Sequence, residues 1–127
     1  MVQKDVIIGW TGTGERVDEE TISNIIFPLN SPSIFKTLYD TKCHYIGAIS
    51  STIVNDNFIK WIGGGKPKSA FIIPILFKGK IVNIIYGDNG EGENTTTDIG
   101  DLLILAQHIP LAFENLVTLR KKMFKTA

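Results

Sequence analysis

Two apolar segments joined by a two-residue turn constrain this chain more than anything else in it. Phe71 to Phe77 is followed by Lys78-Gly79 and then by Lys80 to Asp88. The close connection with Gly in second place predicts a β-hairpin. Both segments are rich in Ile, Val, Leu and Phe without polar alternation, so both faces of each strand require cover. Pro74 removes one ladder donor from the first strand, which predicts a bulge or a partly unpaired edge. A chain built around this hairpin needs a layer of helix or further structure on each side.

The rest of the sequence supplies such layers. Val6 to Trp10 predicts a short strand, ended by Thr11-Gly12-Thr13-Gly14. Gln3-Lys4-Asp5 before it is a turn, so the chain is expected to begin inside a hairpin or to have been excised from a longer protein. Glu15 to Asn24 is polar and predicts a loop with one helical turn at most. Ile25 to Leu29 contains Pro28 and suits an edge strand. In the next segment Ser31 is a helix cap and Pro32 a first helical residue. The helix should end at Tyr39 or Asp40 and bury Ile34, Phe35 and Leu38. Cys43 to Ile49 predicts a strand. Asn55-Asp56-Asn57 caps a short helix through Ile62, closed by Gly63-Gly64-Gly65. After an acidic, Gly-rich loop, Asp98 caps a long final helix.

That helix has two apolar lines. Leu102, Ala106, Ile109, Phe113, Leu116 and Val117 form one face at helical spacing and should cover the sheet. Leu105, Ile109, Ala112, Leu116, Leu119 and Met123 are spaced four, three, four, three, four, which is a heptad-type seam. A monomer needs one line. The second predicts another helix, supplied by an N-terminal segment or a partner subunit, unless one wide core face absorbs both. Pro110 should kink or break the helix. Arg120, Lys121, Lys122 and Lys125 complement the dipole at its end.

Bulk properties narrow the class. A chain of 127 residues, 43% hydrophobic, is one domain spanning residues 1–127. Thirteen basic and thirteen acidic residues cancel, leaving no global field for nucleic acid or an anionic membrane. The apolar run Phe71–Phe77 is too short to span a bilayer, and the first residues have no signal-peptide pattern. The single cysteine, Cys43, excludes an internal disulfide and suits a reducing, cytoplasmic setting. Frequent Ile, Asn and Lys with sparse Ala fit an AT-rich bacterial genome.

Catalytic and cofactor motifs are weak. Gly9-x-x-Gly12-x-Gly14 has the wrong order for a dinucleotide fingerprint, and no helix opens after it. Gly63-Gly64-Gly65-Lys66-Pro67 lacks the hydroxyl residue of a phosphate loop, and Pro67 lacks a donor. Cys43 and His44 are strand neighbours that point apart, and with His108 they make no metal set. The acidic loop lacks the spacing of a calcium loop. No cofactor, metal or catalytic residue is expected. The amphipathic aromatics are stronger candidates for a pocket.

The order strand, loop, helix, strand, helix, hairpin, long helix resembles a GAF-type domain, the sensor fold related to PAS. Three stretches bear the resemblance: Ile72-Ile73-Pro74-Ile75; Lys78-Gly79 through Tyr86-Gly87; and Asp98-Ile99-Gly100-Asp101-Leu102-Leu103. Gly9-Trp10 and Tyr86-Gly87-Asp88 further resemble a divergent bacterial subgroup found in multidomain regulatory proteins. The resemblance implies an α+β fold, with a central antiparallel sheet of about five strands and helices on both faces, truncated at its N-terminus. It implies a non-catalytic regulatory domain that binds a small molecule or protein, sits among neighbouring signalling domains and signals through a homodimer of terminal helices. Tyr45, Trp61 and Tyr86 would line the pocket, with Ser33 and Asn55 as polar groups. Leu105, Ile109, Ala112, Leu116, Leu119 and Met123 would form the dimer interface. The motif set of cyclic-nucleotide-binding members is missing. An interaction module of the same fold with a filled core is the alternative; an enzyme like the sulfoxide reductases of this fold would need more cysteines.

Overall fold

The structure, a computed structural model, describes the backbone of residues 1–126, with side chains at 1–112, 115, 116, 118 and 119. The elements run β1 (Val2–Gln3), β2 (Val6–Ile8), α1 (Glu19–Ser23), β3 (Ile26–Pro28), α2 (Ile34–Thr41), β4 (Tyr45–Gly47), α3 (Ile53–Trp61), β5 (Ala70–Phe77), β6 (Lys80–Gly87) and α4 (Gly100–Thr126). The fold is α+β, but the single sheet of about five strands is not observed. Two three-stranded antiparallel sheets form instead, β1-β2-β3 and β4-β5-β6. They approach where β1 runs beside β6. β1 has only two residues, Val2 and Gln3, already paired to Ile7 and Val6. Two residues give too short a run of alternating pairs to extend the ladder across to β6.

The β5–β6 turn and β5 behave as the sequence requires, but β6 is not covered on both faces: only Ile81 is buried and Val82 is exposed. Lys78 and Gly79 both have positive φ, 51° and 76°, the handedness that matches strand twist in a two-residue turn. Ala70 and Ile72 of β5, with Ile84 and Tyr86 of β6, join a core built from α2, α3, β2 and β3. Odd-numbered Phe71, Ile73 and Ile75 join Ile85, Ile99, Leu102, Leu103 and Ala106 on the other side. Helices therefore cover both faces of β5. Pro74 shows both expected consequences. The register shifts between Ile75 and Leu76, and β4 pairs with Ala70, Phe71 and Ile72 but not with Ile73 or Pro74.

Helix ends differ from expectation for traceable reasons. Ser33, not Ser31, caps α2, accepting from the Lys36 N–H at 3.0 Å. The Ile34 N–H goes to Asn55 Oδ1 at 3.0 Å, so the first turn is satisfied from Ile34 onward. The face Ile34, Phe35 and Leu38 is buried as expected, and Lys42 ends the helix in the left-handed region at φ 56°. Thr52 caps α3 through the Asn55 N–H at 3.1 Å, three residues before the expected start. β4 is three residues rather than seven, because Tyr45 folds over Gly47 and donates its hydroxyl to the Ala48 carbonyl. The Ile99 carbonyl accepts from the Leu103 N–H at 2.9 Å, so α4 starts just after Asp98. Pro110 does not break it: one helical segment runs to Thr126.

Candidate functional site

The five pocket candidates do not converge. Tyr45 and Ser33 line a groove of about 450 Å³ between α2 and residues 45–52, together with Lys36, Thr37, Asp40 and Thr52. Asn55 lies beneath it, almost wholly buried, with its polar atoms spent on structure. Its Oδ1 accepts from Ile34 and its Nδ2 donates to the Ser50 carbonyl at 2.9 Å. Ser33 is likewise spent as a cap. Lys36 pairs with Asp40 at 2.8 Å on the exposed rim.

Trp61 and Tyr86 belong to an aromatic cluster inside the main core. Phe27 packs on Phe35 at 4.9 Å, Phe35 on Phe58 at 4.8 Å, and Phe58 edge-on to Tyr86 at 4.8 Å. Trp61 stacks along Phe27 at 6.4 Å. These geometries suit ring quadrupoles and fill the core. The Tyr86 hydroxyl leaves the cluster to donate to Asp88 Oδ2 at 2.5 Å, while Asp88 Oδ1 accepts from the Gly90 N–H at 2.8 Å. Burial first, then the bond to Asp88 and its charge, pushes the Tyr86 phenol far above its ordinary value. Gly87 lies flat against the Phe71 ring, where a Cβ would collide. Tyr86-Gly87-Asp88 is thus a device that ends β6 and turns the loop. Gly9 has a comparable reason: a Cβ there would strike the Ile22 carbonyl of α1.

The α4 seam behaves differently. Leu105, Ile109, Ala112, Leu116 and Leu119 are all exposed, Leu105 at 55% and Leu116 at 64%. Among the described residues of α4, Leu102, Leu103 and Ala106 pack against the sheet. Ile109 and Leu116, expected on the sheet-covering face, do not reach it. Phe113 and Val117 of that face, and Met123 of the seam, lie outside the described residues, as do the terminal cations Arg120, Lys121, Lys122 and Lys125. Twenty-seven helical residues span about 40 Å, while the eight of β5 span about 27 Å, so the helix outruns its sheet.

A second apolar surface escaped the sequence reading. In the first sheet Val2, Ile7 and Phe27 share the inner face, which leaves Val6, Ile8, Ile26 and Pro28 on the outer one. Ile26 is 58% exposed, and Trp10 just beyond β2 is 66% exposed. The signal was present, since Val6-Ile7-Ile8 is as unalternating as the hairpin.

Among the described residues no group of three His, Cys, Asp or Glu side chains is placed to hold a metal ion. Cys43 is exposed. Among the described residues no helix is long and apolar enough to cross a membrane. Comparison with family models, with curated proteins and with solved structures finds no match.

Proposed function

We propose that this chain is a non-catalytic, GAF-like regulatory domain that works as a homodimer through α4. The observation that carries this reading is the row of exposed apolar side chains Leu105, Ile109, Ala112, Leu116 and Leu119 at heptad spacing. A row of that periodicity is matched by another helix, with knobs from each entering holes on the other. A second copy provides an identical row, and two-fold pairing is the commonest assembly of soluble chains. The core supports an interaction module over a ligand-filled one, because five aromatic rings occupy its centre. A rigid domain attached to a helix that outruns it passes any strain at the domain along that helix to whatever follows.

Solution mass tests this. The wild-type chain should run as a dimer, and Leu105→Glu with Leu119→Glu should yield a folded monomer. A wild-type monomer at high micromolar concentration refutes the proposal.

A second reading, small-molecule binding, rests on the groove of about 450 Å³ under Tyr45 and Ser33, whose size lies within the range of ligand sites. Broadening of Tyr45 resonances in a small-molecule screen would support it. Silence across a chemically diverse screen would remove it.

A further inference from the structure

Resting on the homodimer just proposed, we infer that each α4 also lies across the outer face of its partner's N-terminal sheet, with the two helices parallel. The helix has three apolar lines rather than two. Leu102 and Ala106 face the second sheet. The heptad row lies about a quarter turn away at 3.6 residues per turn. Ile104 and Leu111, seven residues apart and more than half exposed, form a third line nearly opposite the first. A helix pair uses one line beyond the core line. The third needs its own cover.

The direction of the heptad row follows from the topology. Residues 88–97 are tied to the start of β5 by the bonds Lys68 N–H to Glu93 carbonyl and Thr95 N–H to Ser69 Oγ. That tether starts α4 at the beginning of β5, and the helix runs on along that strand. Pro74, which has no N–H, takes its place without cost when its nitrogen faces away from β6, where β4 does not pair with it. Phe71, Ile73 and Ile75 then bond toward β6. With those side chains pointing at α4, backbone chirality and the right-handed helix turn the heptad row toward β6 and β1. A partner helix on that row sits 8–10 Å from α4. At about 4.8 Å between strands, that is past β6, on the side where β1 runs beside it. Beyond Gln3 of β1 on that face lie the half-buried Val6 and Ile8 of β2 and the exposed Ile26 and Pro28 of β3.

Only parallel helices fit. With the two-fold axis along the helix pair, the partner's own sheets stack on the far side of the helix layer. Its third line, Ile104 and Leu111, then points back onto the first copy's bare sheet. Antiparallel helices side by side would put the partner's sheet where the first sheet already stands. Area supports the same arrangement. A helix face about 40 Å by 10 Å offers roughly 400 Å², half of the roughly 800 Å² per partner that a specific interface uses. The sheet face supplies much of the remainder, and each copy both gives and receives the contact.

Single-cysteine chains in a Cys43→Ser background test this by oxidative cross-linking. Leu105→Cys should link to itself. Leu111→Cys mixed with Ile8→Cys carried on a chain of different mass should give the mixed dimer. Ile8→Glu should weaken dimerisation at least tenfold while far-ultraviolet circular dichroism stays native. Self-linking at position 105 without the mixed 111–8 product overturns the sheet contact and leaves the helix-mediated dimer standing. A mixed 105–119 product in place of 105 self-linking overturns the parallel arrangement. Monomeric mass with no link at any position refutes the homodimer itself.

Discussion

The two sheets are built from nearly the same material and have opposite fates. β5 and β2 are both runs of Ile, Val and Phe-type residues without alternation. In β5, Ile72 and Ile73 point to opposite faces and both are fully buried, one under α2 and α3 and the other under α4. In the N-terminal sheet, Ile7 and Phe27 are buried while Ile26 on the other face is largely exposed. Strand composition therefore states how many faces want cover, and the helices decide which receive it. The single chain has one long helix for that side, and α4 spends it on the second sheet. The comparison makes an uncovered strand face a statement about assembly, in the same terms as an uncovered helix seam.

The largest test of that contrast is truncation on each side. Ile72→Ala should cost about 3 kcal/mol, the usual cost of a cavity in a closed core. Ile26→Ala should change monomer stability by less than about 0.5 kcal/mol, as exposed substitutions do. Urea unfolding of the monomeric Leu105→Glu, Leu119→Glu background measures both. Equal costs would mean that the first sheet's outer face is covered within one chain.

Next in size is Asn55. Its side chain ties the start of α2 to the segment before α3. Asn55→Leu leaves the Ile34 N–H and the Ser50 carbonyl without those partners and should cost about 1–3 kcal/mol. Such a loss marks the residue as structural. If stability is unchanged and a small molecule is lost from the groove instead, Asn55 is a ligand contact.

These residues show what was legible in sequence. The hairpin, its turn, the disturbance at Pro74 and the double cover of β5 followed from apolar runs and turn chemistry, which are local properties. The heptad row followed from periodicity. Asn55 was misread because an Asn near a helix start is ordinarily a cap for its own helix. Here it caps the neighbouring one, through a contact between residues twenty-one apart. Tyr86 and Trp61 looked like pocket residues because amphipathic aromatics suit both pockets and cores. Only the arrangement of Phe27, Phe35 and Phe58 around them decides between the two. The split into two sheets depended on the length of β1, and element boundaries are what pattern reading resolves least.

Tyr86 provides a pH test of the core side. Its folded value lies above its unfolded one, so its contribution is intact below the unfolded value near pH 10. It is lost as pH rises beyond that point, because the unfolded chain ionises first. Chemical denaturation between pH 8 and 11 should show stability falling on the alkaline limb, and Tyr86→Phe should flatten that fall. An unchanged limb would place the tyrosine in water rather than against Phe58 and Asp88.

The smallest effect compares the two hairpin turns. Lys78 holds φ 51° ahead of Gly79 at 76°, and Lys4 holds φ 53° in the turn between β1 and β2. A lysine in the left-handed region has no local hydrogen bond to compensate its Cβ, whereas Asn has a short polar side chain that tolerates it. Lys78→Asn should therefore stabilise the chain by about 0.5 kcal/mol, the scale of a relieved turn position. Lys4→Asn acts on a turn between strands of two and three residues, where less of the fold depends on the pairing. If unfolding is cooperative across both sheets, the two substitutions raise the urea midpoint together. If only Lys78→Asn does so, the N-terminal sheet opens before the rest, as expected of a layer buried on one face alone.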